Sequence, residues 1–163
     1  RLFVAESESQ ARGYVFAAPE ARLLRRHRLA GCAARIAREA PVFFFRPRAD
    51  RAFYLRYVSF ALRGKFSLPD FSAGYPATLH INISPDCQGS GFGSALLHEA
   101  EQYLWSRGAA GIHLSTTTLN RAALKFYAAR GYEELYSRQT RFYEPWEPGG
   151  VSLVLFGKKL CAG

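Results

Sequence analysis

Between Gln88 and Ser94 the chain reads QGSGFGS, three glycines within five residues. The stretch follows Ala77–Ile83, an apolar run that reads as a buried strand. It precedes Leu96, Leu97, Ala100 and Leu104, which form one face of a helix by their spacing. A glycine turn between strand and helix is a place for an anion. The first helical turn has N–H groups without intrahelical partners and carries partial positive charge, and glycines let that backbone approach a phosphate with no Cβ in the way. Two phosphate motifs fit poorly. Walker A requires Lys and then Ser or Thr after its last glycine, whereas Phe92, Gly93 and Ser94 follow Gly91. The dinucleotide fingerprint requires G-x-G-x-x-G and an acidic residue after the next strand, but the glycines stand at 89, 91 and 93 and GIHLSTTT offers no carboxylate. A plain strand-to-helix turn with nothing bound is the alternative.

The elements that position this loop follow from pattern. LFVAES and ARGYVFAA read as a hairpin, with Gly13 marking a bulge or a close backbone contact. Pro19 opens a helical pattern with Leu23, Leu24, His27, Ala30, Ala34 and Ile36 on a loose apolar face, closed by Pro41. A second helix is expected from about Arg48 to Arg63, with Phe53, Tyr57, Phe60 and Ala61 on one side, followed by the loop GKFSLPDFSAGYP. After the glycine loop the helix is expected to end at Gly108. GIHLSTT then forms a strand, and NRAALKFYAARG a helix capped by Asn120 and ended by Gly131. YEELYSR and VSLVLFGKK complete the strands, joined by the polar turn YEPWEPGG, which reads as a flexible lip. The order ββ, helical insert, β, α, β, α, β, β is that of a single α/β (α+β) domain with a mixed sheet.

Bulk properties narrow the classes. A chain of 163 residues with 48% hydrophobic and 15% aromatic content has enough apolar surface for one core. No apolar run reaches membrane-spanning length, and the start lacks a secretory pattern. Cys32, Cys87 and Cys161 have neither metal-ligand nor disulfide-framework spacing. Small buried thiols in a reducing compartment are expected, hence a cytoplasmic protein without a metal. The absence of methionine leads us to expect a piece of a longer chain. The net charge of +9 is concentrated in ARLLRRHRLAGCAARIARE and FRPRADRAFYLRYVSFALRGK. No nucleic-acid motif accompanies it, so nucleic acid is not expected as a partner.

Gln88, Gly89, Ser90, Gly91, Phe92 and Gly93 resemble the Q/R-x-x-G-x-G/A motif A of the GNAT superfamily, the acetyl-CoA-dependent N-acetyltransferases. The motif follows a strand ending in I-x-P, as in that family. One strand later, NRAALKFYAARGY is similar to the family's second signature, N-x-x-A-x-x-F/L-Y-x-x-x-G-F/Y. The resemblance covers Leu79–Leu160 well and Leu2–Ala18 weakly. It implies the GNAT acyl-CoA N-acyltransferase fold, a mixed and mostly antiparallel sheet flanked by helices. It also implies a single domain over residues 1–163 that lacks the family's first strand and helices. A helical insert at about 19–76 stands where the family joins its third and fourth strands by a tight turn. This insert, followed by YPATLHINI, resembles the acetyltransferase-like domains found with some O-GlcNAc hydrolases and related bacterial enzymes.

The resemblance further implies that Ile81, Asn82 and Ile83 hold the pantetheine of acetyl-CoA and that Gly89, Ser90, Gly91, Phe92, Gly93 and Ser94, with Gln88 starting the turn, hold its pyrophosphate. Ile81 and Ile83 can also be plain core residues. Asn120 matches the family's cofactor-contacting asparagine and is also a fitting N-cap. Tyr127 matches the tyrosine that protonates the leaving CoA thiolate in many members; a core aromatic beside Phe126 is the alternative. The usual positions of a general base fall at Ala77 and Leu79, which cannot titrate. His80 and His113 are the remaining candidates, and strand alternation sends His80 to the other face unless a bulge intervenes. Arg121 and Arg130 are candidates for the nucleotide end. The implied function is acetyl transfer from acetyl-CoA to an amine of an unidentified acceptor. The alternative is a non-catalytic acetyl-CoA-binding or interaction domain. Monomer and homodimer stay open.

Overall fold

A computed structural model of the chain describes residues 1–23 and 47–160. The first helical pattern beyond Leu23, together with Cys32 and Cys161, lies outside the described residues. Six strands form one sheet: β1 (Leu2–Ser7), β2 (Gln10–Ala18), β3 (Ala77–Ile83), β4 (Gly111–Thr117), β5 (Glu133–Thr140) and β6 (Val151–Lys159), in the order β1-β2-β3-β4-β6-β5. Every neighbouring pair is antiparallel except β3 and β4. Three α-helices lie wholly within the described residues: α1 (Arg48–Leu62), α2 (Phe92–Ser106) and α3 (Arg121–Ala128).

The expected hairpin turns through Glu8 and Ser9, both at positive φ. The register of β1 on β2 then slips between Ala5 and Glu6, leaving Arg12 as the extra residue beside Gly13. Both expectations for Gly13 hold, because it also lies under β3. A Cβ there would stand 2.9 Å from the Asn82 carbonyl oxygen and 2.5 Å from Ile83 Cδ1.

The core lies under α2. Leu96, Leu97, Ala100 and Leu104, the residues chosen by spacing, are all buried, each leucine contributing roughly 1.5–3 kcal/mol by leaving water. They pack with Val15, Ala17, Ala77, Leu79, Ile112 and Leu114 from the sheet. Glu101 clamps this helix to the sheet. The Lys158 ammonium lies 2.8 and 2.9 Å from its two carboxylate oxygens, and the Tyr132 hydroxyl donates to it at 2.9 Å. Alternation along β6 directs Val151 and Leu155 away from that core, and Phe142 is buried with them outside it. Phe53, Tyr57 and Phe60 of α1 meet Phe142 with ring centroids 5.4 to 6.3 Å apart. Phe53, Tyr57 and Ala61 of this side all remain exposed, and Phe60 is half-buried.

Gly13→Ala is expected to destabilise the fold by about 2 kcal/mol, because the nearest obstacle includes backbone that cannot swing away. Urea unfolding of the two proteins measures the difference, and an unchanged midpoint would contradict the close packing of β2 on β3.

Candidate functional site: a parted strand pair and an amide-lined loop

β3 and β4 pair only at Ala77 with Ile112 and Thr78 with His113. Beyond that point each strand is held by its outer neighbour alone: β3 by β2 as far as Ile83, and β4 by β6 as far as Thr117. The Ser84 amide donates to Arg12 on the β2 side at 2.8 Å. Strand alternation therefore turns the N–H and C=O groups of Leu79, Ile81 and Ile83 toward β4. By the same reasoning from the Thr118 amide, which donates to Ser152 at 3.0 Å, the backbone of Ser115 faces β3. The pairing of Thr78 with His113 engages the Leu79 amide; beyond it the Leu79 carbonyl and the peptide groups of Ile81 and Ile83 meet no strand across the cleft. Buried backbone groups must find partners, so this edge is left for water or a ligand.

The closed end of the cleft is packed shut by Tyr75. Its ring lies where a Cβ on Gly111 or Gly157 would come within 2.9 Å, and Lys159 Nζ stands 4.5 Å from its centroid. The His113 Nδ1–H donates to the Tyr75 carbonyl at 2.6 Å. His113 thus links strand to loop at the last paired position. His80 is exposed on the face opposite Leu79 and Ile81, because the β2–β3 register runs without a bulge. Because Thr78 pairs with His113, the two candidate bases share this face, His113 half-buried at the closed end and His80 exposed one alternation further along β3.

At the open end the chain turns through the 3₁₀ segment Pro85–Cys87 into the glycine loop. Gly91 is the N-cap of α2 at φ +91°, a conformation that costs a side-chain-bearing residue about 1 kcal/mol or more. The amides of Gly89, Gly91, Phe92 and Gly93 have no backbone acceptor among the described residues. The two sequence signatures meet here. A Cβ on Gly93 would lie 3.4 Å from Phe126 and 3.7 Å from Ile83 Cγ1. Arg130 stacks over Phe126 at 5.1 Å and donates to the Ser94 hydroxyl. Arg130 therefore braces the loop, while Arg121 is exposed at the start of α3. Gln88 and Ser90 are exposed on the loop, and the Ser90 hydroxyl bonds back to the Cys87 carbonyl. The Cys87 thiol is pushed up by desolvation and by Asp86, which keeps it protonated and a poor nucleophile.

Asn120 caps α3, its Oδ1 accepting from the Ala123 amide at 3.0 Å, and sits just past the end of β4. Asn82 is exposed on the His80 face, so only its neighbours Ile81 and Ile83 turn their backbone into the cleft. Tyr127 is 6% exposed, with Phe126, Tyr132 and Phe156 around its ring. Its hydroxyl has no protein partner, yet no solvent-sealed side-chain oxygen goes unpartnered among the described residues. The ring is thus buried while the hydroxyl keeps contact with solvent. Burial pushes its pKa up to about 12. Tyr75 and the Glu101–Lys158–Tyr132 cluster escaped sequence reasoning, since contacts between distant segments leave no local pattern.

The model of the acetyltransferase (GNAT) family matches residues 38–132, more than half of the chain. The chain belongs to the GNAT acetyltransferase family. An N-acetyltransferase of Methanocaldococcus jannaschii, itself uncharacterized, is 37% identical over 59 residues. The match covers 36% of this chain and 26% of that protein, so the chain matches only about a quarter of its relative's length. The solved structure of SsHAT superposes with a TM-score of 0.68 at 28% identity, over 99% of this chain and 73% of that one. The Salmonella typhimurium protein yncA, solved with its cofactor acetyl-CoA, has the same fold at a TM-score of 0.56 and 11% identity, over 99% of this chain and 65% of that one. This GNAT domain has no helix, among its described residues, that is long and apolar enough to cross a membrane.

The tyrosine burial sets an alkaline limit. Tyr127 and Tyr132 both hold their protons above the ordinary phenol value of 10, through burial and, for Tyr132, the neighbouring Glu101. The unfolded chain releases protons from pH 10 upward that the folded one keeps. Stability is therefore unaffected below pH 10 and falls as the pH rises toward 12, by on the order of 2 kcal/mol for Tyr127 alone. Melting temperatures across this window should drop steeply, and less steeply in Tyr127→Phe; a flat profile would contradict the burial.

Proposed function

We propose that this domain transfers the acetyl group of acetyl-CoA to an amine by direct attack of the amine on the thioester. The carrying observation is the unpaired inner edge of β3 running up to a loop of unbonded amides. The amides of Gly89, Gly91, Phe92 and Gly93, at the N-terminus of α2, fit a pyrophosphate. The peptide groups of Ile81 and Ile83 fit the two amides of a pantetheine arm, as a missing strand would. The thioester supplies an activated acyl group and a thiolate as leaving group.

On this reading the backbone near Ile83 orients and polarises the carbonyl. Tyr127 offers its hydroxyl to the departing sulfur. A phenol near 12 keeps its proton throughout the neutral range and lies well above a free thiol near 8.5. Its contribution is then a hydrogen bond that strengthens as charge develops on sulfur, with proton transfer following once sulfur too has left water. Ala77 and Leu79 are buried aliphatic residues where a base would be sought, so the amine arrives neutral or loses its proton through water. The same vacancy supports the second reading, an acyl-CoA-binding domain without turnover. The free Cys87 thiol and the absence of metal or disulfide spacing support a cytoplasmic site of action.

The test is calorimetric binding of acetyl-CoA, followed by thiol release with a panel of amines. Binding without release from any amine would favour the second reading, and absence of binding would overturn both. Tyr127→Phe is expected to lower kcat 100-fold or more while leaving the Kd of CoA within about twofold. Arg130→Ala is expected to raise that Kd roughly five- to tenfold, because the Ser94 side of the loop loses a charged brace. Equal kcat in the first variant would return Tyr127 to a purely packing role.

A further inference from the structure

Away from the loop, a cavity of about 680 Å³ opens between the C-terminal end of α1, strand β5 and the turn that follows it. Its size is that of a small-molecule or peptide site. Arg63, Lys65, Arg138 and Arg141 line it, against the single carboxylate of Glu144. That carboxylate is already engaged, 3.2 Å from Arg141 Nε. Arg63 and Lys65 have no acidic partner among the described residues. Arg138 is half-buried and spends one N–H on the Lys65 carbonyl at 2.7 Å, leaving its remaining donors unbonded there. The walls are rigid: Arg56 of α1 donates to the carbonyls of Phe142, at 2.6 Å, and of Arg141, and Phe60 packs on Phe142. Four cations held in one concavity repel each other, and low-dielectric walls focus their field on whatever enters.

The position relates the cavity to the cleft. Arg138 pairs with Leu153 of β6, which pairs with Thr117 at the open end of β4. Two strand spacings, roughly 10 Å, separate β5 from the mouth of the parted strands. We propose that this cavity seats an anionic group, carboxylate or phosphate, of the acceptor whose amine reaches the cleft. This rests on the acetyl-transfer reading and narrows its acceptor to acidic amines.

The test uses the protein saturated with CoA, so that the glycine loop is occupied and cannot compete for anions. Calorimetry compares the C-terminal amides of glycyl-glutamyl-glutamate and glycyl-glutaminyl-glutamine, and phosphoethanolamine with ethanolamine. At least one anionic probe should bind tenfold or more tightly than the twin that lacks its acidic groups, and the pair that discriminates identifies carboxylate or phosphate. Lys65→Glu should abolish the preference. Glu144→Gln should tighten anionic binding two- to fivefold, a gain that misfolding cannot imitate. The Kd for CoA should stay constant in both variants. Equal binding of all four probes, or a preference that both variants leave intact, overturns the inference while acetyl transfer stands. Failure of the wild-type protein to bind CoA removes the acetyl-transfer reading and this inference with it.

Discussion

The site depends on how little β3 and β4 hold on to one another. Two residue pairs join them, and then the strands part. An open seam inside a sheet is normally costly, because each unmatched peptide group loses a hydrogen bond that a neighbouring strand would supply. The cost is tolerable here because each strand is fully paired on its outer side. The helix α2 also spans the β3 half from one face, and Glu101 ties it through Lys158 to β6 on the other half. The two halves of the sheet are thus held by the core rather than by each other. Tyr75 and the His113 bond mark where closure ends.

The glycine loop gains meaning from that seam. Alone it is a strand-to-helix turn with a left-handed N-cap. Placed past the 3₁₀ segment that follows β3's unpaired edge, it adds four amides that have no backbone acceptor among the described residues. The second signature closes the arrangement from the side. Phe126 packs on Gly93, Arg130 reaches Ser94, and the Tyr127 ring is buried one position along the same helix. Residues that are neighbours in α3 therefore divide between shaping the loop and offering a hydroxyl to solvent. The segment between β2 and β3 joins the same end of the molecule: α1 is clamped by Arg56 and its aromatic face to the β5–β6 turn. The buried Phe142 stands just before the turn expected to be a flexible lip and packs against Tyr143 and Trp146 within it.

Much of this was legible in the sequence. β3, β4 and β6 begin and end where the apolar runs do, and α2 buries the four residues that its spacing selects. Such elements are legible because periodicity reports which face a segment must bury, and Asn120 and Gly131 state their own local geometry. What local pattern left out is equally physical. The aromatic face of α1 gathers on one ring, Phe142, far along the chain. The His113 Nδ1–H bonds to a carbonyl from a loop that no local pattern associates with its strand.

The sequence by itself determined the elements, their order, the loop type and the family, because these rest on short-range spacing and on backbone chemistry that neighbours in the chain control. Tertiary structure decided what those parts make together. It parts β3 from β4, turns the peptide groups of Ile81 and Ile83 into the gap, buries the ring of Tyr127 without sealing its hydroxyl, and gathers four cations from three segments around one cavity. Each of these is a relation between residues far apart in the chain. Only the packing of a common core brings such residues to fixed distances, and no local pattern encodes them.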